Sequence, residues 1–332
     1  MKIESVGIVG IGAYLPEKVL TNEDLEKMVD TSDEWIMTRT GIKERHLARE
    51  DEAASDLGAK AAEEALKSAS MKAEELDLIV CATITPDMDF PSTSCLIQRK
   101  LNAANAVCFD VSAACTGYIY AITIAEQFLK NGFYKNALVI GTEKLSGITD
   151  WEDRNTCVLF GDGAGACILK PVENGGIIST YLGSDGNQAD LLKIPAGGSR
   201  MPASLFTVKA RLHFLKMEGS ELFKHAVRLM ADAAEKALSQ AGLTCKDVTC
   251  LIPHQANIRI LQAVAKKIGL PMERIYLNIE KYGNMSSAST AVALYEAVKY
   301  KRIKKGDILV LVAFGSGLTW GATVIEWTGE DS

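Results

Sequence analysis

Short apolar runs alternate with helical patterns along most of the chain. The runs LIVCATITP, NALVIGTEK, VTCLIPHQA and ILVLVAF are typical of buried strands. Between such runs, apolar residues recur at helical spacing among Ala, Glu and Lys. Strands that are buried on both faces and joined by helices usually run parallel. The pattern therefore predicts an α/β protein with mainly parallel sheets covered by helices.

Two segments of the chain resemble each other at an offset of 172 residues. Residues 61–80 (AAEEALKSASMKAEELDLIV) and 233–252 (AAEKALSQAGLTCKDVTCLI) share six identities, all within the first nine positions. Each segment is typical of a helix that leads into a short strand. Helices rich in Ala, Glu and Lys also resemble one another by composition, so chance similarity is the alternative. A true repeat predicts two similar halves, residues 1–172 and 173–332.

Glycine-bearing runs end both halves, VLFGDGAGACILKP in the first and ILVLVAFGSGLTWGATVIEW in the second. Gly161, Gly163 and Gly165 do not form a dinucleotide-binding motif, because that motif needs a helix directly afterwards and ACILKP predicts a strand. Residues 183–216 are rich in Gly, Ser and Asn and predict a long surface segment. This segment could form part of a binding site or be a solvated insertion.

Composition and charge exclude several classes of protein. The chain has 332 residues, is 48% apolar and carries a net charge of −6. An acidic balance argues against broad binding to nucleic acid or to an anionic membrane surface. The sequence has no apolar stretch of membrane-spanning length, and its start lacks the features of a secretory signal. We therefore expect a cytoplasmic protein that binds neither nucleic acid nor membrane.

Cys115 is the cysteine whose position suggests chemistry. The eight cysteines include no C-x-x-C pair and none beside a histidine at metal-ligand spacing, so we expect reduced thiols and no metal site. Cys115 lies between a predicted strand, AVCFDV, and a predicted helix that ends at Asn131-Gly132. A helix N-terminus favours thiolate, so we expect a lowered pKa there. A buried, inert thiol is the alternative.

Three other features complete a candidate constellation. His254 follows the predicted strand VTCLI, at the kind of strand end where α/β sheets carry chemistry, although a structural histidine is the alternative. Asn284 precedes a predicted helix and offers either an amide donor or an N-cap. In the stretch AFGSGLTWG, Gly315, Ser316 and Gly317 allow close backbone approach and could offer an N–H. Together with Cys115 they comprise a nucleophile, a base or donor, and an oxyanion clamp.

Five motifs resemble one known family in its own order. They are TSDEWIMTRTGIKERH, DVSAACTGYIYAI, LFGDGAGA, PHQANIRI and GNMSSAS. On these motifs the chain is similar to 3-oxoacyl-(acyl-carrier-protein) synthase III, a thiolase-like family of bacterial fatty acid synthesis, over essentially its whole length. The resemblance implies duplicated βαβαβ halves in five layers, αβαβα. It also implies a catalytic triad of Cys115, His254 and Asn284, with an oxyanion hole at the backbone N–H groups of Cys115 and Ser316.

A decarboxylative condensation is the reaction that the resemblance implies. Cys115 would take an acyl group from acetyl-CoA or another short acyl-CoA. His254 and Asn284 would then stabilise the enolate formed from malonyl-acyl carrier protein. Acyl-CoA is a substrate, so no cofactor is implied, and the enzyme would be a homodimer. The alternatives are a related synthase of secondary metabolism, a Cys-His thioester hydrolase, and a CoA-binding module without enzymatic activity.

Similarity to the family also implies the binding residues. Trp35 and Arg154 would sandwich the adenine of CoA, and Phe90 would reach the acyl pocket across the dimer interface. The remaining CoA contacts would be Thr31 and Arg39 at the nucleotide, with Gly219, Phe223 and Asn257 along the pantetheine tunnel.

A basic helix face would bind the acidic carrier protein. Arg259 and Lys266 share one face of the helix predicted after HQAN, from Ile258 to Ile268. Lys267 is adjacent, and Lys224 lies on the helix of the second repeat copy. A solvated helix face is the alternative.

Two positions depart from the family pattern: Met285 stands where Thr is common, and Ser316 interrupts the glycine triplet.

Overall fold

The structure is a computed structural model that describes residues 5–329. Residues 1–4, at the start of the first expected half, and residues 330–332, at the end of the second, lie outside this description. The strands are β1 (Val6–Tyr14), β2 (Lys18–Thr21), β3 (Glu44–Leu47), β4 (Leu78–Ala82), β5 (Val107–Val111), β6 (Ala137–Lys144), β7 (Asp162–Pro171), β8 (Gly176–Ser184), β9 (Leu192–Lys193), β10 (Lys216–Met217), β11 (Cys250–Pro253), β12 (Ile308–Gly315) and β13 (Thr319–Glu326).

The α-helices alternate with these strands. They are α1 (Asn22–Glu26), α2 (Asp33–Thr40), α3 (Ala54–Ser68), α4 (Thr93–Leu101), α5 (Gly117–Lys130), α6 (Leu205–Lys209), α7 (Gly219–Gln240), α8 (Ile258–Ile268), α9 (Ile279–Tyr282) and α10 (Ser287–Lys299). The ends of β5, α5 and α8 agree closely with the sequence-based expectations. Among the described residues, no helix is long and apolar enough to cross a membrane.

Two mixed sheets form the frame of the molecule. The first has the strand order β1-β7-β6-β4-β5, and the second has the order β11-β12-β13-β8. In the first sheet β4 runs parallel to β5 and β6, whereas β7 is antiparallel to both of its neighbours. In the second sheet β11 runs parallel to β12, whereas β13 is antiparallel to both of its neighbours. The two sheets therefore repeat one arrangement.

The prediction of mainly parallel sheets is wrong. The glycine-bearing strands β7 and β13 return antiparallel to the strands that precede them in the chain. Only residues 316–318 separate β12 from β13. A parallel connection needs a crossover of a dozen or more residues, so this short turn can join only antiparallel strands.

Helices separate and cover the sheets in five layers. α3 packs on the outer face of the first sheet, and α7 packs on the outer face of the second sheet together with α8. Between the sheets lie α5 and α10, which contact strands of both. One apolar cluster runs through this middle layer and includes Val80, Ile122, Leu294 and Leu311. The α/β fold in αβαβα layers is confirmed.

The sequence repeat coincides with equivalent elements. β4 begins at Leu78 and β11 begins at Cys250, which is the same offset of 172 residues. Each strand follows a helix that covers the outer face of its sheet, α3 in one case and α7 in the other. Each copy is therefore a helix leading into a strand, as the sequence predicted.

Small residues allow the middle layer to approach the first sheet. Gly141 lies in β6, and a Cβ added there would be 2.7 Å from the carbonyl oxygen of Ser287, at the start of α10. Real Cβ atoms do not tolerate such a distance from a backbone atom. The N-terminus of α10 is therefore placed against β6 by the absence of a side chain at Gly141.

Gly141→Ala is expected to destabilise the protein by about 1–3 kcal/mol, because the added methyl group overpacks a buried contact with the backbone. Urea unfolding of the purified variant would measure this loss. Gly147→Ala is the matched control, since Gly147 is exposed and an added Cβ meets nothing within 4 Å. The control should stay within about 0.5 kcal/mol of the wild type. Equal stability of both variants would contradict the packing argument.

Candidate active site

Cys115 lies in a single 3-10 turn, Ala114–Thr116, that joins β5 to α5. The residue is buried, with 8% of its surface exposed. Gly315, the last residue of β12, lies directly against it: a Cβ at Gly315 would be 2.7 Å from the Cys115 backbone nitrogen. A side chain at Gly315 would displace the cysteine, so β12 can approach Cys115 this closely because residue 315 is a glycine.

His254 directly follows β11 in the second sheet. Its backbone N–H donates to the carbonyl oxygen of Val312 at 2.7 Å, which extends the pairing between β11 and β12. Burial lowers the pKa of the imidazole to about 3, and Nδ1 has no hydrogen-bond partner among residues 5–329. The ring is therefore neutral at pH 7.

Asn284 is held by its backbone rather than by a helix cap. Its N–H donates to the Leu159 carbonyl at 2.9 Å, and its carbonyl accepts from the Gly161 N–H at 3.0 Å. The N-cap of α10 is Ser286, so the N-cap alternative for Asn284 is wrong. Asn284 Oδ1 accepts from the Ser286 N–H at 2.8 Å. This bond leaves the side-chain NH₂ as the group that can donate to a ligand.

Two cavities adjoin at these residues. Cys115 and Asn284 line both of them, and His254 lines the smaller cavity. The larger cavity has a volume of about 410 Å³ and mainly apolar walls, including Leu145, Phe160 and Leu215. The smaller cavity has a volume of about 140 Å³. The fold thus gathers a thiol, an imidazole and an amide where two cavities meet.

Burial controls the electrostatics of the thiol. It raises the pKa of Cys115 to about 12, with a further rise from the charge of Glu143 and an opposing effect of the Ser286 hydroxyl. The expectation that a helix N-terminus would lower this pKa is wrong. Cys115 precedes the first residue of α5, and the loss of water on burial outweighs the dipole.

Known proteins match the chain over nearly its whole length. Residues 109–186 match the family 3-oxoacyl-(acyl-carrier-protein) synthase III, and residues 238–327 match the C-terminal part of the same family. A relative from Caldanaerobacter subterraneus, named beta-ketoacyl-(acyl-carrier-protein) synthase III, is 56% identical over 98% of both chains. A relative from Clostridioides difficile with that name is 56% identical over 97% of this chain and 98% of its own.

The chain belongs to the 3-oxoacyl-(acyl-carrier-protein) synthase III family. A crystal structure of the synthase III from Aquifex aeolicus agrees with this assignment. It superposes with a TM-score of 0.90 at 49% identity and covers 97% of this chain and 100% of its own. The resemblance found in the five sequence motifs is therefore confirmed.

Other residues expected in a synthase III occupy the same site. Gly219, Phe223 and Asn257 line the smaller cavity with His254. Asn257 also caps α8, where its side chain accepts from the Arg259 N–H at 2.9 Å.

Two arginines lie close to the ring of Trp35. The guanidinium groups of Arg39 and Arg154 are 4.8 Å and 4.9 Å from the centre of its ring. A nucleobase stacked between Trp35 and Arg154 would contact both groups. The indole ring and the guanidinium would then have to be separated by roughly twice the van der Waals contact distance of about 3.5–4.0 Å. Arg154 must therefore move outwards to admit one. Nearby, Thr31 Oγ1 is buried without a hydrogen-bond partner in the described part of the chain.

The helix that carries Trp35 is joined to the cavity region. α2 ends at Gly41, where a Cβ would be 2.8 Å from the side chain of Ile258, the first residue of α8. Ile258 directly follows Asn257, which lines the smaller cavity. The tryptophan and the cavity are thus connected through one close helix contact.

Phe90 lies apart from the site of its own chain. Its side chain is 84% exposed and lines neither cavity. The basic residues Lys224, Arg259, Lys266 and Lys267 are all exposed. Lys224 is paired with Glu221 at 2.7 Å, whereas the other three have no carboxylate within 4.0 Å among the residues the structure describes.

The segment 183–216 takes part in the site. Leu192 lines both cavities, and Lys193 and Leu215 line the larger one. The hydroxyl of Ser316 donates to the Leu192 carbonyl, so the departure from the glycine triplet ties this segment to the turn after β12. Met285, the other departure, is fully buried and packs with Ala288 and Val292.

Sequence reasoning missed two residues that affect the pKa of the Cys115 thiol, Ser286 and Glu143. Ser286 lines the larger cavity. Glu143 is completely buried near the end of β6. A glutamate inside the apolar run NALVIGTEK was the available signal, because acidic residues are rarely fully buried without a role.

Acid is expected to destabilise the protein through His254. Its pKa is about 3 in the folded protein against an ordinary value of 6.5, so the unfolded chain binds the extra proton between these pH values. The stabilisation is complete above pH 6.5 and is lost as the pH falls towards 3. The expected loss between pH 6.5 and pH 5 is about 2 kcal/mol.

Urea unfolding of the wild type and of His254→Gln at pH 7 and pH 5 would check this. The glutamine variant keeps a polar side chain but cannot take up a proton in this range. It should lose less unfolding free energy on acidification than the wild type. The same loss in both proteins would contradict the assignment.

Proposed function

We propose that this protein condenses an acyl-CoA primer with malonyl-acyl carrier protein through an acyl group on Cys115, and so starts fatty acid synthesis. One observation carries the proposal. A buried thiol, a neutral imidazole and an amide donor meet between two cavities in a chain of the synthase III family. These groups suit a covalent nucleophile and a site for developing negative charge.

The first step is acyl transfer to the thiol. Cys115 Sγ attacks the thioester carbonyl of acyl-CoA, and CoA leaves as its thiol. Exchange of one thioester for another is nearly balanced in energy, so the main needs are a nucleophile and oxyanion donors. The backbone N–H groups of Cys115 and Ser316 would supply those donors, since both residues line the larger cavity.

The second step is decarboxylation and condensation. Malonyl-acyl carrier protein loses carbon dioxide, and charge collects on its thioester oxygen as an enolate. A neutral imidazole at His254 carries one N–H, and the Asn284 amide carries two. Both would donate to the enolate oxygen. The enolate carbon then attacks the carbonyl of acyl-Cys115, the bond between the acyl carbon and Sγ breaks, and the 3-oxoacyl product is released while the Cys115 thiolate takes a proton from solvent.

CoA would enter through the smaller cavity. Gly219, Phe223 and Asn257 line it, as a pantetheine arm reaching Cys115 would require. Adenine would stack between Trp35 and Arg154, because an indole and a guanidinium both bind flat aromatic rings. The nucleotide would also contact Thr31, which has a buried hydroxyl without a partner in the described chain, and Arg39.

The primer would occupy the larger cavity. Its mainly apolar walls suit a hydrocarbon chain attached to Cys115. In a homodimer the exposed Phe90 of each chain would complete the acyl pocket of the other. We further propose that the enzyme acts in the cytoplasm, without a bound cofactor, metal ion, nucleic acid or membrane.

Three alternatives fit the chain less well. A thioester hydrolase would need a base to activate water, and an imidazole whose pKa is about 3 is a weak base at neutral pH. A binding module without enzymatic activity would not need a nucleophile between its cavities. A secondary-metabolic synthase is disfavoured by the relatives at 56% identity, which are named for the fatty acid enzyme.

Intact-mass measurement after mixing with acetyl-CoA is expected to show an acetyl adduct on Cys115. His254→Ala and Asn284→Ala should still form the adduct, because neither side chain serves the first step. Both variants should lose about 10²–10³-fold in condensation with malonyl-carrier protein, as loss of an oxyanion donor typically does. Cys115→Ala is the control and should form no adduct.

If the wild type formed no acetyl adduct on Cys115, this result would contradict the acyl-enzyme proposal. Release of free acid instead of a 3-oxoacyl thioester would identify a hydrolase. Loss of acylation alone in the His254 and Asn284 variants would contradict their assignment to the second step.

Exposed basic residues on α7 and α8 would bind the carrier protein. Arg259, Lys266 and Lys267 are exposed and are not neutralised by a carboxylate within 4.0 Å in the part of the chain the structure describes. Lys224 is already paired with Glu221, so we expect it to contribute less. Charged surface groups act mainly on the rate of association with an acidic partner.

Reversing both Arg259 and Lys266 to Glu is expected to lower kcat/KM for malonyl-carrier protein at least 10-fold, with a weaker dependence on salt. The rate of acyl-Cys115 formation from acetyl-CoA should not change. Lys67→Glu is the matched control, because Lys67 is an exposed residue on α3 in the opposite outer layer. Equal losses in both half-reactions would contradict a carrier-binding surface.

A further inference from the structure

Thr116 occupies the N-cap position of α5 but does not cap that helix. A threonine at an N-cap commonly accepts from a backbone N–H of its own helix, and the side chain of Thr116 makes no such bond. Its buried hydroxyl instead donates to the carbonyl oxygen of Thr319 at 3.1 Å. Thr319 is the first residue of β13. The hydroxyl therefore links the turn that carries Cys115 to the second sheet.

Thr319 makes the contact from the other side. Its Oγ1 is 3.0 Å from the carbonyl oxygen of Ala113, 3.1 Å from the carbonyl oxygen of Ser316 and 3.2 Å from Thr116 Oγ1. One hydroxyl proton serves one acceptor at a time. The Thr319 hydroxyl therefore lies where the turn around Cys115 meets the turn at Ser316, within hydrogen-bond distance of both.

The turn that carries Cys115 has an unfavourable backbone. Ala114 has a φ of +47°, in the left-handed region that disfavours a residue with a side chain. Thr319 contacts the residue before Ala114, and Thr116 lies two residues after it. The two threonines therefore hold both ends of this turn, with Cys115 inside it.

The turn after β12 lies directly against the same segment. A Cβ added at Gly315 would be 2.7 Å from the Cys115 backbone nitrogen and 3.1 Å from Cβ of Ala114. Ser316 follows Gly315, and its hydroxyl donates to the Leu192 carbonyl. The backbone N–H groups of Cys115 and Ser316 thus belong to two turns in contact, and the two threonines join these turns.

An oxyanion hole depends on the relative placement of its donors. Each donor has to lie about 2.7–3.1 Å from the position that the charged oxygen will occupy. A displacement of about 1 Å can cost about 100-fold in rate. A hydrogen-bonded link between the two turns restricts changes in the separation of their N–H groups.

We propose that Thr116 and Thr319 are positioning residues that hold the backbone N–H groups of Cys115 and Ser316 at the separation an oxyanion hole requires. The inference rests on the acyl-enzyme step and the oxyanion donors proposed above. Neither hydroxyl gives or takes a proton in the reaction. Both act through the backbone, and they serve each step in which the carbonyl oxygen of the acyl group gains negative charge.

Rapid-quench mass spectrometry of acyl-Cys115 formation from acetyl-CoA tests the proposal. Thr319→Val should acylate about 10-fold or more slowly than the wild type, because valine has the shape of threonine but lacks the hydroxyl. Thr116→Val should be slower for the same reason. Thr319→Ser should recover most of the rate, since serine keeps the hydroxyl.

Thr323→Val is the matched control. Thr323 is fully buried and lies four residues further along β13. Its Oγ1 is 3.2 Å from Thr180 Oγ1 in the neighbouring strand β8. This variant also loses a buried hydroxyl, but outside the two turns, so it should acylate at the wild-type rate.

Alkylation of Cys115 by iodoacetamide separates a role in the oxyanion hole from damage to the thiol. Alkylation displaces iodide from a saturated carbon, so no oxygen on the attacked carbon gains charge. Thr319→Val and Thr116→Val should therefore alkylate at the wild-type rate although they acylate slowly. A disturbed turn around Cys115 would slow both reactions.

Three results would overturn the inference: wild-type acylation rates in both valine variants, equal losses of acylation and alkylation, or an equal loss of acylation in Thr323→Val. Because Thr116 and Thr319 lie in different elements, a folding defect in one variant leaves the other to decide. These results leave the wild-type adduct intact, so they differ from failure of the proposed function. A wild type that forms no adduct would overturn both.

Discussion

The close approach of α5 and α10 between the two sheets is the constraint on which the site depends. A Cβ added at Gly117, the first residue of α5, would be 3.0 Å from Cβ of Ala82 and 3.5 Å from Cβ of Ser287. The N-terminus of α10 meets Gly141 of β6 at a similarly short distance. Larger side chains at these positions would separate the two helix ends, and Cys115 would no longer share a cavity wall with the residues that precede α10.

The same packing joins the two halves of the chain. α10 belongs to the second half by sequence, yet it packs on β6 and β7 of the first sheet, and Asn284 pairs with residues 159–161. In the opposite direction, Gly315 of the second sheet lies against the backbone of Cys115. Each half therefore completes the surroundings of a reactive group on the other, and neither half carries the site alone.

Burial separates the Cys115 thiol and the His254 imidazole from water and makes both groups harder to charge. The thiol of Cys115 becomes harder to ionise, and the imidazole of His254 becomes harder to protonate. A site of this kind cannot depend on groups that ionise freely at neutral pH. Such a site has to act through preorganised hydrogen-bond donors, which stabilise developing negative charge more strongly where water is excluded. In the proposed reaction, backbone N–H groups and the Asn284 amide would be such donors.

The sequence by itself determined the local structure and the principal residues. Hydrophobic periodicity located the ends of β5, α5 and α8, and so placed Cys115 and His254 at element boundaries, because these signals arise within a few residues. The five motifs, which occur in the same order as in the synthase III family, identified that family. Only the tertiary structure decided the antiparallel strands, the raised pKa of Cys115 and the hydrogen bond between Ser287 and Glu143. Those features depend on burial and on distances between residues far apart in the chain, which no local pattern contains.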